Sequence, residues 1–162
     1  MSDGPVNADD VEWTEYDHGE RQFRRKQLAD ASGGEELGAS LYEVPPGKRL
    51  WLRHYHEGNE ESVFVLEGSG TLWLGPAATE HDLSSGDYVA LPAGEGSAHE
   101  IEAGEDGLRL LMHSTMEEPD ITVYPDRDMV GLYAGAPPGG DRESRSLSTY
   151  LDRDAELEYW EE

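Results

Sequence analysis

Two histidines and a glutamate fall within eight consecutive residues of the chain, at a spacing that could hold a metal ion. His54 and His56 are two positions apart, so on an extended strand both imidazoles would point from one face. Gly58 and Asn59 are typical of a turn, and the β-rich run after them predicts an antiparallel return that begins at Glu61. We therefore expect a β-hairpin that brings together two imidazoles and a carboxylate, ligands that suit a first-row transition metal better than Mg²⁺ or Ca²⁺.

A second segment, residues 86–99, ends in another histidine. Gly86 begins a turn, residues 88–91 predict a short strand, and Pro92 begins a second turn. This pattern places His99 at the start of the next strand rather than in a loop, and makes it the candidate for a fourth ligand.

The two segments together resemble the paired metal-binding motifs of the cupin superfamily, HxHx4Ex6G followed by GDx3LPxGx4H. The landmark positions are His54, His56, Glu61 and Gly68 in the first motif and Gly86, Pro92, Gly94 and His99 in the second. The resemblance implies an all-β fold, a double-stranded β-helix or jelly-roll barrel. It also implies a mononuclear metal site with His54, His56, Glu61 and His99 as ligands, and with open coordination positions.

Glu60 is the rival of Glu61 as the carboxylate ligand. Glu61 stands seven residues before Gly68, as the ligand does in the resembling family, and Glu60 would point to the opposite face of the strand. The spacings from Gly47 to His54 and from Gly94 to His99 are longer than usual in that family. These are differences of loop length, which affect the approach to the site more than the ligands.

The resemblance extends along the chain to a group of small single-domain cupins of bacteria and archaea. It includes residues 23–47, the segment 124–128 and the terminal Tyr159-Trp160. We expect an N-terminal arm and a C-terminal tail around one barrel. The predicted parts are a disordered lead (1–10), an arm with a first strand (11–36), the barrel (37–116), and an irregular segment, linker and docked tail (117–162).

Composition supports a single all-β domain. The chain has 162 residues, and its apolar residues form short runs separated by glycine and proline. It has no cysteine, so a metal must be held by nitrogen and oxygen. No run approaches the ~20 apolar residues of a membrane span, and the acidic start lacks the features of a signal peptide. These properties predict a cytoplasmic protein.

The chain is strongly acidic, with 36 acidic and 12 basic residues and a net charge of -24. This charge repels phosphates, so nucleic acid and acidic membrane surfaces are not expected partners. The only lysines are Lys26 and Lys48. Acid excess with few lysines resembles the proteome of salt-accumulating halophiles, and we expect a halophilic archaeal source; the alternative is an ordinary acidic protein.

Several other side chains could contribute to a site. His113 ends a predicted strand and could line the pocket, whereas His18 and His81 are expected in solvent. The basic cluster 24–26 predicts an exposed strand that pairs with surface acids or, as the alternative, a phosphate or carboxylate site. Four residues on predicted barrel strands could fill the core or line the cavity: Tyr42, Trp73, Tyr88 and Met112.

The leading functional hypothesis is a protein with one divalent transition-metal ion per chain (Fe, Mn, Ni, Co, Zn or Cu) that acts on a small organic molecule. As an enzyme it would be an oxygenase or a sugar or keto-acid isomerase. The alternative is a non-catalytic sensor or binding module that uses the same pocket. We also expect a homodimer, because the aromatic arm and tail could cover exposed sheet edges.

Overall fold

A computed structural model of the chain describes residues 4–160 as eleven β-strands in two antiparallel sheets, with one short α-helix. The strands are β1 Thr14–His18, β2 Arg21–Gln27, β3 Gly38–Val44, β4 Tyr55–His56, β5 Glu61–Leu74, β6 Thr79–Ser84, β7 Tyr88–Leu91, β8 His99–Ser114, β9 Asp120–Tyr124, β10 Met129–Ala134 and β11 Leu147–Asp152. Helix α1 spans Leu28–Ala31, and single 3-10 turns occupy Ala8–Asp10, Glu95–Ser97 and Pro125–Arg127.

The larger sheet has the strand order β1-β2-β3-β8-β5-β6, and β7 also pairs with β5. The smaller sheet has the order β11-β10-β9-β4. An isolated bridge between His54 and His99 links the chain next to β4 with the start of β8. These antiparallel sheets form a jelly-roll barrel, so the predicted fold class is confirmed.

The two longest strands, β5 and β8, pair along their whole length, from Glu61 opposite Ser114 to Leu74 opposite His99. The register shifts near Gly68, which has a φ of 87°. A Cβ atom at this position would lie 2.1 Å from the carbonyl oxygen of Gly107. Only glycine fits this bulge, which explains the glycine that closes the first sequence motif.

The main core is formed by the strands of the larger sheet and follows the two-residue period of the strands. Val63 and Val65 on β5 and Leu110 on β8 are fully buried. The other large apolar members of this core are Phe23, Tyr42, Val44, Leu50, Leu72, Leu83, Leu91, Ile101, Leu108 and Met112.

The predicted hairpin between the histidines and Glu61 was wrong. Strand β4 pairs with β9, with Tyr55 opposite Val123 and His56 opposite Thr122. The expected turn contains Asn59, whose buried amide oxygen accepts hydrogen bonds from the backbone N–H of Glu117 and the hydroxyl of Thr115. These bonds direct the chain from the smaller sheet to the larger one, so the two flanking segments do not pair with each other.

The segment after residue 116 is more regular than the sequence indicated. It supplies β9, β10 and β11, which are three of the four strands of the smaller sheet, and only the 3-10 turn Pro125–Arg127 interrupts β9 and β10. Strands of five or six residues carry a weak local signal, and here their pairing with neighbours decides the structure.

Part of the expected disordered lead also has structure. Ala8–Asp10 forms a 3-10 turn, and the buried Lys26 donates a hydrogen bond to the carbonyl oxygen of Ala8. Residues 1–3 of that lead lie outside the described residues. In the part of the chain from 4 to 160, no helix has the length and apolar character needed to cross a membrane, and the cytoplasmic location stays a prediction.

Candidate metal centre

The four predicted ligands converge inside the barrel. His54 precedes β4, His56 ends it, Glu61 begins β5, and His99 begins β8. The backbone N–H of His54 donates to the carbonyl oxygen of His99 at 3.2 Å, and the reciprocal bond measures 2.9 Å. This bridge fixes the two histidines side by side, with ring centroids 4.6 Å apart.

The side-chain atoms meet around one carboxylate oxygen. One nitrogen or oxygen atom each from His54, Glu61 and His99 all lie within 4.8 Å of one another. Nε2 of His99 is 3.6 Å from Oε2 of Glu61, and Nε2 of His56 is 3.4 Å from the same oxygen. The structure thus forms a three-residue group of His54, Glu61 and His99, which His56 joins through Glu61.

Hydrogen bonds orient the imidazole rings. Nδ1 of His54 donates to the carbonyl oxygen of Leu52 at 2.6 Å, and Nδ1 of His99 donates to that of Ser97 at 2.9 Å. Because a carbonyl oxygen can only accept, the proton of each neutral ring sits on Nδ1. The Nε2 lone pairs of both rings therefore stay free for a metal ion.

His56 is oriented by a residue that the sequence analysis missed. Oδ2 of the buried Asp120, on β9, lies 2.6 Å from Nδ1 of His56, and Oδ1 accepts the backbone N–H of Gly58 at 3.0 Å. A carboxylate behind a metal-ligating histidine fixes the tautomer and raises the basicity of the ligand. Asp120 is 64 positions from His56, and its only local signal is that it opens a β-rich run.

The pKa values of the site residues are shifted in different directions. Burial opposes the protonation of His56, but the carboxylates of Glu61 and Asp120 outweigh it and raise the pKa of His56 to about 10. Burial raises the pKa of Glu61, but the positive charge of His56 outweighs it and lowers that pKa to about 2. Burial, together with the charges of His99 and His56, lowers the pKa of His54 to about 3. Burial likewise lowers the pKa of His99.

Two of these polar atoms have no hydrogen-bond partner. Oε2 of Glu61 and Nε2 of His99 are buried, and among residues 4–160 neither finds a donor or acceptor. Such orphaned atoms cost free energy unless another group satisfies them. A cation between them would satisfy both, and the nitrogen and oxygen donors suit a divalent transition metal. The residues present therefore fit a metal ion.

The space beside the histidines is small. A cavity of 10 Å³ borders His54 and His99 and is also lined by Leu50, Trp51 and Met112. It has room for about one water molecule. The indole N–H of Trp51 donates to the hydroxyl of Tyr42 at 3.2 Å, which holds one wall in place.

A larger groove, of 480 Å³, lies far from this chemistry. It runs over β1, β2, β3, β5 and β8 and contains none of the site histidines. Its floor is a row of alternating charges on adjacent strands, Glu15, Arg24, Glu43, Arg109 and Glu67. These charges pair largely with one another, so the size of the groove does not make it a better functional candidate than the buried histidines.

The other candidate ligands lie outside the site. Glu60 is exposed, and its backbone N–H donates to the hydroxyl of Thr115. His113 is exposed on the outer face of the larger sheet beside Ser62, so it does not line the pocket. His18 and His81 are exposed, as expected.

The four residues assigned to core or cavity behave differently from one another. Tyr42 and Met112 are buried in the core, and Met112 also lines the small cavity. Trp73 is half-buried under the guanidinium of Arg49. Tyr88 is 64% exposed and serves neither purpose, because its register with Phe64 places it on the outer face of the sheet.

The basic cluster 24–26 is not the exposed acid-paired strand that we expected. Only Arg24 pairs with a surface acid, Glu43, at 2.5 Å. Lys26 is buried, with its ammonium group 4.6 Å from the ring of Trp13. Arg25 points to the other face of β2, where it donates to the hydroxyl of Ser40 at 3.0 Å.

Comparisons with known proteins agree with the fold and the motifs. Residues 40–114 match the family model described as the cupin domain. No curated protein matches the chain in sequence. Residues 40–114 are therefore similar to a cupin domain, and the solved structures share the fold, whereas nothing in these comparisons supports a halophilic archaeal source.

Solved structures share the fold at low sequence identity. A protein from Acidithiobacillus ferrooxidans, provisionally described as a sugar phosphate isomerase, is 23% identical with a TM-score of 0.79, and the match covers 96% of each chain. A sugar phosphate isomerase from Silicibacter pomeroyi is 24% identical with a TM-score of 0.78, over 94% of each chain. The polyketide cyclase RemF from Streptomyces resistomycificus is 24% identical with a TM-score of 0.59, over 72% of this chain and 82% of its own.

Proposed function

We propose that this chain, with its cupin domain and buried His-Glu-His group, holds one divalent transition-metal ion and uses it to bind and convert a small organic molecule. The proposed ligands are His54, His56, Glu61 and His99. The observation that carries the proposal is the pair of orphaned, buried atoms, Oε2 of Glu61 and Nε2 of His99, within one cluster.

The protein's own residues prepare this site. The carbonyl oxygens of Leu52 and Ser97 hold two imidazoles with Nε2 free, and Asp120 holds the third. Trp51 and Met112 restrict the space next to the histidines. A bound ion would supply a Lewis acid that polarises an oxygen atom of the ligand.

Sugar phosphates are the first substrate class to test. Two solved structures that match nearly the whole chain are described as sugar phosphate isomerases, one of them provisionally. Their low identity leaves this a proposal, with an oxygenase as the other enzymatic reaction. The alternative is the non-catalytic binding module. For either function, a ligand could enter the 10 Å³ cavity only if Trp51 or Met112 moved.

Metal analysis tests the site. After metal loading and desalting, the wild-type protein should retain about one equivalent of metal per chain. The double variant His54→Ala/His99→Ala should lose it, and the control His81→Ala/His113→Ala, which changes two exposed histidines, should retain it. Metal that survives unchanged in the first variant would show that the site lies elsewhere.

Spectroscopy separates an enzyme from a binding module. The Co(II)-loaded protein is titrated with sugar phosphates, keto acids and catechols, and each compound that alters the metal spectrum is tested for turnover. Glu61→Gln should abolish turnover, whereas Glu60→Gln, at an exposed position, should leave it nearly intact. Ligand binding without any spectral change supports the binding module.

We also propose that the chain forms a homodimer. Strand β11 docks on its own barrel, but the tail beyond it leaves Leu157, Tyr159 and Trp160 between 84% and 95% exposed. Aromatic surface of this kind favours a partner. Light scattering should give a dimer for the full chain and a monomer after deletion of residues 153–162, a deletion that spares β11. A full chain that is itself monomeric contradicts the proposal.

A further inference from the structure

Arg25 faces the interior of the barrel. On β2 it follows Phe23 by two positions, and Phe23 is 3% exposed in the core. Its partner across the strands is Tyr42, which in turn pairs with the fully buried Leu110. Because paired residues of adjacent strands share a face, the half-buried Arg25 lies on the inner face of the sheet, just beyond the apolar core.

The contacts of Arg25 are all with neutral groups. Its Nε donates to the hydroxyl of Ser40 at 3.0 Å, and its Nη2 donates to the carbonyl oxygen of Gly139 at 3.2 Å. The guanidinium carbon lies 5.8 Å from the centre of the Tyr42 ring. Across residues 4–160 the structure shows no ion pair between Arg25 and a carboxylate.

This lack of a carboxylate partner distinguishes Arg25 from the arginines around it. Within residues 4–160 the buried Lys26 also lacks such a partner, but it lies on the other face of β2 with its ammonium group against the ring of Trp13. The other arginines of β2, the arginine of β8 and those in the loop before the histidines all pair with acids: Arg21, Arg24, Arg109, Arg49 and Arg53. With a net charge of -24, the chain has no shortage of acids. A partly buried charge without a counter-charge is costly in the folded protein. The arrangement therefore suits a positive charge that is kept for an anion from outside the chain.

Arg25 is also connected to the candidate metal site. Ser40, which holds its guanidinium, pairs across the strands with Met112, and Met112 lines the cavity next to His54 and His99. Burial raises the pKa of Tyr42, the charge of Arg25 lowers it, and the charge of Glu61 raises it. The hydroxyl of Tyr42 also accepts the indole N–H of Trp51, which lines the same cavity, so Tyr42 joins the guanidinium of Arg25 to the wall of the site.

We infer that Arg25 binds the phosphate or carboxylate group of the small molecule whose other oxygen atoms reach the metal site. The guanidinium can grip such an oxyanion through two parallel hydrogen bonds. Ser40 and Gly139 hold it in place before the ligand arrives. The inference rests on the proposed function, because the second anchor of the ligand is the metal.

The test compares Arg25→Gln with Arg24→Gln in the metal-loaded full chain. Both variants lose one positive charge from β2, but Arg24 lies on the outer face. Isothermal titration with glucose 6-phosphate, glucuronate and glucose separates the phosphate, the carboxylate and the neutral sugar. We expect Arg25→Gln to lower the affinity for at least one of the two anionic probes tenfold or more. Arg24→Gln should change the same affinity less than twofold. The probe that responds identifies the anion.

A third variant keeps the result interpretable. Arg25→Lys should recover part of the lost affinity, because it restores the charge without the planar fork. Melting temperature and metal content, measured for every variant, show that each is folded and loaded. The inference is overturned if Arg25→Gln binds both anions as the wild type does, if Arg24→Gln loses as much, or if the wild type does not prefer an anion to glucose.

The same measurements distinguish the two proposals. If the protein retains no metal and Arg25→Gln still lowers its affinity for the anions, the role of Arg25 is supported and the metal-dependent function is contradicted. Normal metal content with a Co(II) spectrum that the anions alter equally in wild type and Arg25→Gln supports the function and overturns the role of Arg25.

Discussion

Strand β5 presents Glu61, Val63 and Val65 to the barrel interior in succession, and β8 presents His99, Ile101 and Ala103 in the same way. One strand repeat, about 7 Å, therefore separates the polar end of the interior from its apolar end. At the apolar end the side chains need no further partner, because Val63 and Val65 are fully buried against other apolar groups.

At the polar end, by contrast, Glu61 and His99 each keep a buried atom without a hydrogen-bond partner within residues 4–160. Substitutions at the two ends should therefore affect different properties of the protein. Substitutions at the apolar end should act on the stability of the fold, and substitutions at the polar end should act on metal affinity.

The largest effect is expected at the apolar end. Leu110→Ala removes a side chain that is 0% exposed and should lower the free energy of unfolding by about 2–5 kcal/mol through lost burial and the cavity that remains. Denaturant titration measures this loss, and metal content should not change. The control Ile121→Ala, at a position 45% exposed, should cost less than about 1 kcal/mol. Equal losses in the two variants would contradict this division of the interior.

Asp120→Asn should act at the polar end. Asparagine can still accept the N–H of Gly58, but it removes the negative charge beside Nδ1 of His56. We expect metal affinity to fall about 10–100-fold, as is typical for the loss of such an orienting carboxylate. A competition assay with a chelating dye measures the change, with Asp82→Asn, an exposed aspartate on β6, as the control. An affinity within twofold of the wild type in Asp120→Asn would remove Asp120 from the site.

Metal uptake should release about one proton at pH 7.5, because His56 has a pKa raised to about 10 in the metal-free protein and must become neutral to bind. Between pH 7.5 and about pH 10, metal affinity should rise roughly tenfold per pH unit. For stability without metal the sign is opposite: the contribution of protonated His56 is full below its ordinary pKa of 6.5 and is lost as pH rises through about 10. Calorimetry in two buffers of different ionisation enthalpy counts the protons, and zero protons released contradicts the prediction.

The smallest effect should come from salt, which acts on the outer surface and not on either end of the interior. The Debye length falls from about 8 Å at 0.15 M to about 3 Å at 1 M, so molar KCl screens the repulsion within a net charge of -24. We expect a gain on the order of 1 kcal/mol, or roughly 2–4 °C in melting temperature, of similar size in Leu110→Ala and Asp120→Asn. A melting temperature that does not change between these salt concentrations would end the halophile prediction.

The sequence by itself determined the fold class and the residues that meet at the candidate site. Two of these features are local: the spacing of His54, His56 and Glu61, and the position of His99 at the start of a strand. The two-residue period of a strand then decides on which face each side chain lies. Gly68 belongs to the same group, because a positive φ and a close backbone contact demand glycine wherever the chain makes this bulge.

Only the tertiary structure decided which strands pair and what supports the site. A two-residue strand such as β4 carries too little pattern to specify its partner, so its pairing with β9, and with it the contact between Asp120 and His56, arises from residues far apart in sequence. The direction of Arg25 depends in the same way on register, since a shift of one residue would exchange it with Arg24 on the outer face. Register and strand pairing are set by the whole core, and no single segment of this chain contains that information.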